Sequence, residues 1–254
     1  MTTLPAFGVR LRRLAELRGL TVAALAERAA TTEAELAAIM NGGEPGPAVL
    51  RALAPALGLH RSDLFIIAGR PVPGDLAPRD PGAEFVINSL PWSLTYLPCS
   101  AVPELHRLVR SLPEEPSPPG TPRPNPKPWY QHYPDGPGGL VVRLLHNRNI
   151  GWTGAAKYAF GLGRGLALSA STIGMIARAE KALTPELLGG FAPVLDISAA
   201  DLSAVTGVDR PDTRPSICAH RAEAAALLWS ARRLTTGQLA QVEQRARDLK
   251  ASAE

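Results

Sequence analysis

The sequence predicts an all-α protein built from two similar units. Hydrophobic residues make up 45% of the 254 residues but aromatic residues only 5%, which favours helices packed through small side chains over a β-sandwich. The segment Leu50–Pro73 returns 138 residues later as Leu188–Pro211, with identical residues at eight of 24 positions, where chance supplies about two. The length also suits about two domains.

The repeat continues beyond this segment into a helical extension of each unit. At an offset of 137, four residues meet identical partners: Leu90, Trp92, Ser93 and Leu97 meet Leu227, Trp229, Ser230 and Leu234. A helical apolar stripe recurs at the same offset, with Val102, Leu105, Val109 and Leu112 falling on Leu239, Val242, Ala246 and Leu249. The chain therefore reads as one unit of roughly 110 residues written twice.

Composition excludes several functional classes. The net charge of +4 tolerates a polyanionic partner without requiring one. Cys99 and Cys218 form no CxxC motif, and the five histidines have no metal-ligand spacing, so neither a metal nor another cofactor is predicted. No local pattern holds a catalytic acid, base or nucleophile, so we expect no enzyme activity.

Cellular location is predicted from what the sequence lacks. No apolar run reaches the roughly 20 residues of a membrane span, and the N-terminus has no signal-peptide core. We therefore expect a cytoplasmic protein with free thiols and no membrane partner. The abundance of Ala, Arg, Gly and Pro is typical of a GC-rich bacterial genome.

Five short helices are predicted in the first unit. The first helix begins at Phe7 and has one apolar face. Four arginines occupy the rest of its surface: Arg10, Arg12, Arg13 and Arg18. Thr21 and Thr32 are positioned to cap the second and third helices, and Asn41 lies where the third helix ends. A fourth helix is expected over Ala48–Leu57, and Ser62 is expected to open a fifth.

Three motifs in this unit resemble those of the lambda repressor and Cro type helix-turn-helix, the XRE family. They are G-L-T-x-x-x-L-A at Gly19–Ala26, L-x-x-I-x-x-G at Leu36–Gly42 and L-x-x-L-A-x-A-L-G-L at Leu50–Leu59. The resemblance implies a third helix that enters the DNA major groove, while the second helix and its flanking turns contact phosphates. It thereby makes Thr21, Thr32 and Asn41 candidate DNA contacts.

The first unit nevertheless departs from the family at its reading positions. Residues that the family usually fills with Gln, Ser, Arg or Thr are here Val22, Glu33, Ala34, Glu35 and Ala37. Two carboxylates on a reading helix would be repelled by phosphates, although glutamate can accept a hydrogen bond from cytosine. The first unit is therefore either a reader of DNA bases or a weak or structural half.

The second unit resembles the family more closely in its third helix. Residues 169–179 read S-A-S-T-I-G-M-I-A-R-A, close to the family's S-x-S-T-I-x-x-I-x-R-G. The resemblance implies DNA contacts at Ser169, Ser171, Thr172 and Arg178. The alternative is that Ser169 only caps the helix and that the neighbouring hydroxyls are solvated.

The second helix of this unit is matched by aligning Gly151–Thr153 with Gly19–Thr21, which makes Thr153 a further candidate contact. That alignment has an offset of 132 against 138 later, so about six extra residues are expected near Gly161–Gly165. The GLGRG run has no preceding strand and no GK[ST], so it does not predict a nucleotide site. Several basic residues are candidate phosphate partners: Arg143, Arg148, Lys157, Arg164 and Arg178.

The resulting domain organisation has five segments. Residues 113–138 form a proline-rich linker, and the capping-box pair Thr235 and Gln238 begins the last helix. The apolar stripe of that helix packs on its own domain, on the matching helix of the first half, or on another chain. The predicted boundaries are 1–75 (first helix-turn-helix domain), 76–112 (extension), 113–138 (linker), 139–211 (second helix-turn-helix domain) and 212–254 (extension).

These features predict a sequence-specific regulator that binds double-stranded DNA as an intramolecular pseudo-dimer. The main alternative is a protein-interaction module in which one or both reading helices have lost DNA binding. A third hypothesis is a ligand-sensing regulator with a pocket lined by Trp92, Trp229 and Tyr96, side chains that core packing would also explain. Homodimerisation or protein binding through the extensions stays open.

Overall fold

The fold is all-helical, as the sequence predicts. A computed structural model describes residues 3–80, 82–91, 97, 101–115, 133–162, 165–211 and 219–252, and none of these residues is in a strand. Within them, no helix is long and apolar enough to cross a membrane. The helices are α1 (Phe7–Glu16), α2 (Val22–Arg28), α3 (Glu33–Met40), α4 (Pro47–Ala56), α5 (Arg61–Ile67), α6 (Ala83–Ile87), α7 (Val102–Ser111), α8 (Pro137–His146), α9 (Trp152–Gly161), α10 (Ala170–Ala177), α11 (Pro185–Leu195), α12 (Ala199–Thr206), α13 (Ala219–Ala231) and α14 (Thr236–Ala251).

Helices α1 to α5 follow the boundaries predicted for the first unit closely. Thr21 accepts a hydrogen bond from the Ala24 amide, and Thr32 accepts one from the Glu35 amide, each at 3.1 Å, so both predicted caps are present. The fifth helix differs, because it begins one residue earlier than predicted and Ser62 is buried inside it. Its hydroxyl is used in a contact with the second half rather than as a cap.

Helices α8 to α12 occur in the same order as α1 to α5, with similar turns. Gly19 after α1 and Asn149 after α8 both have a positive φ, and so do Gly58 after α4 and Asp196 after α11. These left-handed residues end a helix where the chain must turn. The first pair is separated by 130 residues and the second by 138.

The offset of 132 predicted for the start of the second unit is therefore wrong. It is 130 up to α9 and 137 at the caps of α3 and α10, Thr32 and Ser169, so seven extra residues lie between. Helix α9 takes up three of them, because it has 10 residues against seven in α2. The cap of α9 is consequently Gly151, and Thr153 lies inside the helix rather than at the position of Thr21.

The two halves pack through reciprocal helix contacts. Helix α1 contacts α12, and α5 contacts α8. The first helix of each half therefore contacts the fifth helix of the other half. The extensions repeat this arrangement, because α6 contacts α14 and α7 contacts α13. The last helix, α14, therefore packs on the first half, where it contacts α6 and its matching helix α7. This is one of the three packing arrangements given above for its apolar stripe.

Two ion pairs join the halves at equivalent places. Arg148 follows α8 and pairs with Asp63 of α5, and their side chains are only 1% and 0% exposed. Arg18 follows α1 and pairs with Asp201 of α12 at 2.8 Å, with side chains 21% and 15% exposed. Each pair therefore joins the turn after a first helix to the fifth helix of the other half.

Several predicted features lie outside the described residues. They include most of the proline-rich linker, residues 116–132, and six further positions. These positions are Trp92, Ser93, Tyr96, Cys99, Arg164 and Cys218.

Candidate nucleic-acid interface

The exposed face of α3 is acidic and rich in alanine. Glu33, Ala34, Glu35 and Ala37 are all exposed, whereas Leu36 of the same helix is fully buried. The Thr31 hydroxyl donates a 2.6 Å hydrogen bond to Glu35, which fixes one carboxylate at the start of the helix. A DNA backbone brought to this end of α3 would meet two negative side chains.

Neutral and basic groups lie at the two other candidate contact points of the first unit. Thr21 is exposed at the start of α2, and Asn41 is exposed at the end of α3. Arg12 of α1 is also exposed, and its guanidinium donates to the Met40 carbonyl at 3.4 Å, beside Asn41. The sequence showed Arg12 only as one of four arginines around the predicted first helix, and the contact between α1 and α3 places it here.

The start of α10 carries three hydroxyl groups, and that of Ser169 contacts the other two. Ser169 caps the helix by accepting a 3.1 Å hydrogen bond from the Thr172 amide. Its Oγ also lies 2.7 Å from the Ser171 Oγ and 2.9 Å from the Thr172 Oγ1. Ile173 is fully buried, as expected for the core side of this helix. Uncharged donors and acceptors of this kind suit contacts with bases or phosphates.

Arg178 lies at the other end of α10 and is exposed. Its guanidinium makes two hydrogen bonds to Glu180, at 2.7 and 3.1 Å, which raise the pKa of Arg178. The guanidinium also lies over the Trp152 ring, 5.4 Å from its centre. An exposed ion pair of this kind contributes little to stability, so a phosphate can replace Glu180 at small cost.

Three of the other basic residues expected to contact phosphates, Arg148, Arg143 and Lys157, have partners inside the chain. Arg148 is buried in its pair with Asp63, so the expectation of a surface contact there is wrong. Arg143 donates to Asp135 at 3.3 Å, and burial lowers the pKa of its guanidinium. Lys157 donates to the Asn88 carbonyl at 3.1 Å.

The start of α9 is covered by residues of α6 and of the turn after it. The Gly151 amide donates to the Asn88 side-chain oxygen at 3.2 Å. A methyl group at Gly151 would lie 2.0 Å from Glu84 Oε1, and one at Gly154 would lie 1.9 Å from Asn88 Oδ1. Thr153, between the two glycines, remains exposed. The two units thus differ here, because Thr21 at the start of α2 is exposed.

The ring of Trp229, one of the three residues suggested above to line a ligand pocket, is in contact with other side chains of the protein. Its ring stacks on His60 with the ring centres 3.5 Å apart. The guanidinium groups of Arg232 and Arg148 lie over it, 4.0 and 4.9 Å from the ring centre. These contacts give Trp229 a packing role between the halves.

Comparison with known proteins identifies one part of the chain. Residues 6–64 match the family of helix-turn-helix domains, a range that covers α1 to α4 and the first four residues of α5. No curated protein and no solved structure matches the chain. Residues 6–64 therefore form a helix-turn-helix domain, which indicates a DNA-binding regulator.

Proposed function

We propose that the protein is a sequence-specific transcription regulator that binds double-stranded DNA in the cytoplasm as an intramolecular pseudo-dimer. The observation that carries this proposal is the reciprocal packing of α1 on α12 and of α5 on α8. In helix-turn-helix dimers, two-fold symmetry places two reading helices about 34 Å apart on one face of DNA. Here α3 and α10 are the two reading helices. Because the halves differ in sequence, the DNA site is asymmetric rather than palindromic.

The second unit, taken as a second helix-turn-helix domain of the XRE type, is the stronger reader. Ser169, Ser171 and Thr172 of α10 contact base edges or phosphates, and Arg178 and Thr153 contact phosphates. This assignment is supported by the exposed hydroxyl groups at the start of α10 and by the acidic face of α3. The first unit contributes weaker contacts through Thr21, Thr32 and Asn41.

Selection from a randomised duplex library tests the proposal. The full chain is compared with the double variant Ser171→Ala/Thr172→Ala, and each selected duplex is titrated with salt. We expect one enriched asymmetric motif, a steep salt dependence and an affinity at least about tenfold lower in the variant. Ser252→Ala, which removes a surface hydroxyl after α14, serves as the control and leaves binding unchanged. Absence of enrichment at low salt would rule out a sequence-specific regulator.

A protein-interaction module is the second candidate function. It is supported by the exposed carboxylates Glu33 and Glu35, and by the coverage of α9 by Glu84 and Asn88. In that case, the library selection yields no motif, and Glu33→Arg/Glu35→Arg abolishes capture of a protein partner without affecting the thermal unfolding temperature. Loss of DNA binding in the Ser171→Ala/Thr172→Ala variant would instead favour the regulator.

A further inference from the structure

We propose that Glu84 and Asn88 form an intrachain block on DNA phosphate access to α9. This inference rests on the proposed function, because it concerns how the second unit engages DNA. Asn88 accepts the Gly151 amide hydrogen bond, and the Glu84 carboxylate lies against Gly151. The block holds the second unit in a state of lowered DNA affinity until these two side chains turn away.

The start of α9 is the place where a phosphate would bind. In the helix-turn-helix arrangement, the helix before the reading helix meets the DNA backbone, and the amino end of a helix attracts anions through its amide groups and dipole. Helix α9 has 10 residues and no side-chain cap of its own. A carboxylate from the first half is therefore an anion lying at this end of the helix. A phosphate and the Glu84 carboxylate cannot share that space, and they repel each other.

The sequence of α9 is fitted to this contact. Glycine at 151 and 154 lets the tips of Glu84 and Asn88 approach to distances that a β-carbon would prevent. Glycine inside a helix is less favourable than alanine, so Gly154 has a conformational cost that the close approach explains. At the equivalent positions of α2, Thr21 and Ala24 have side chains, and Thr21 is exposed. The block is thus specific to the second unit.

A cation lies beside the block. Lys157 Nζ donates to the Asn88 backbone carbonyl, one turn or so beyond the two glycines on α9. Below these contacts, the Tyr158 hydroxyl donates to the Ile87 carbonyl at 2.7 Å, and both residues are fully buried. The backbone at Ile87 is therefore anchored. The opening needs only rotation of the Glu84 and Asn88 side chains, together with exchange of Lys157 from the carbonyl to a phosphate.

The test measures DNA affinity with the full chain and a mixed-sequence duplex of about 30 base pairs, over a series of salt concentrations. The variants are Asn88→Ala, Glu84→Ala/Asn88→Ala and the control Phe85→Ala, whose side chain is 85% exposed on the same helix. We expect the double variant to bind about three- to tenfold more tightly, with a salt slope steeper by about 0.9 for each phosphate gained. Phe85→Ala should match the unmodified chain. Adding Ser171→Ala/Thr172→Ala should abolish the gain, because the gain acts through the second unit.

Two comparisons separate a block from other effects. Asn88→Ala changes no charge, so a gain seen only when Glu84 is replaced would be a general charge effect and would overturn the proposal. Gly154→Ala pushes on the Asn88 side chain without removing it, and it should raise affinity in the same direction. This second variant, with thermal unfolding measured for each protein, keeps the test valid if the double variant folds poorly.

The outcomes distinguish the block from the proposed function. If the unmodified chain binds DNA and the variants have the same affinity and salt slope, the block is refuted while the regulator stands. If neither binds at low salt, both proposals fail. Binding by the variants alone would support both.

Discussion

Asp63 and Arg148 form a buried, two-pronged ion pair across the interface between the halves. Arg148 Nη1 lies 3.0 Å from Asp63 Oδ1, and Nη2 lies 2.7 Å from Oδ2. Arg18 and Asp201 form the corresponding pair on the other side of the interface. Both ion pairs join an arginine that follows a first helix to an aspartate in a fifth helix. Only the pair of Arg148 and Asp63 is fully buried.

Replacement of Arg148 with alanine should be far more damaging than replacement of Arg18. Arg148→Ala leaves Asp63 buried without its cation, which costs about 3–5 kcal/mol. Arg18→Ala removes a partly exposed pair and should cost about 1 kcal/mol. Urea denaturation of both variants gives the two free energies of unfolding. Equal losses would show that burial does not distinguish the two pairs.

Stability should fall in acid because of His146. Burial lowers the pKa of His146 to about 3 in the folded protein, against about 6.5 in the unfolded chain. Protonation therefore favours unfolding, so the stabilisation is complete above about pH 6.5 and is lost as the pH falls towards 3. The expected loss is about 3 kcal/mol between pH 6.5 and pH 4. Urea denaturation across this range measures the loss, and His146→Gln should flatten this part of the profile.

Glycines at equivalent places in α1 and α8 should be intolerant of alanine. A β-carbon on Gly8 would lie 2.4 Å from the Met40 carbonyl oxygen, and one on Gly138 would lie 2.1 Å from that of Ile176. Since both obstacles are backbone atoms, each substitution should cost about 1–3 kcal/mol or more. Gly74→Ala is the control, because no atom lies within 4 Å of its added carbon. Thermal unfolding compares the three variants, and a stable Gly138→Ala would contradict the packing of α8 on α10.

Neutralising Glu33 should strengthen DNA binding if the first unit contacts DNA. Glu33→Gln removes one exposed negative charge at the start of α3, so affinity should rise about two- to fivefold at low salt. The gain should shrink as salt screens the charge. Asp209→Asn removes an exposed charge that follows α12, outside both proposed reading helices, and serves as the control. Equal effects of the two substitutions in a DNA titration would mean that α3 is away from the DNA.

Local signals explain which parts of the fold were predictable. Thr21, Thr32 and Thr235 were recognised as caps because capping depends on residues within three positions of each other, and all three cap their helices. The alignment of Thr153 with Thr21 was wrong. Because Gly151–Thr153 resembles Gly19–Thr21, it was aligned at an offset of 132, two positions from the offset of 130 in the structure. The left-handed turns at Gly19 and Asn149 and the starts of α2 and α9 fix that register.

The sequence by itself determined the helical class, the helix-turn-helix domain of residues 6–64 and most helix ends, because each depends on periodicity or on neighbouring residues. Only the tertiary structure decided which charged residues are buried in ion pairs and which are exposed. Arg148 and Arg178 look alike in sequence, yet one is buried against Asp63 and the other is exposed beside Glu180. The covering of α9 by Glu84 and Asn88 was equally hidden, because it joins residues more than 60 positions apart. Such contacts depend on how whole helices pack, which no local pattern encodes.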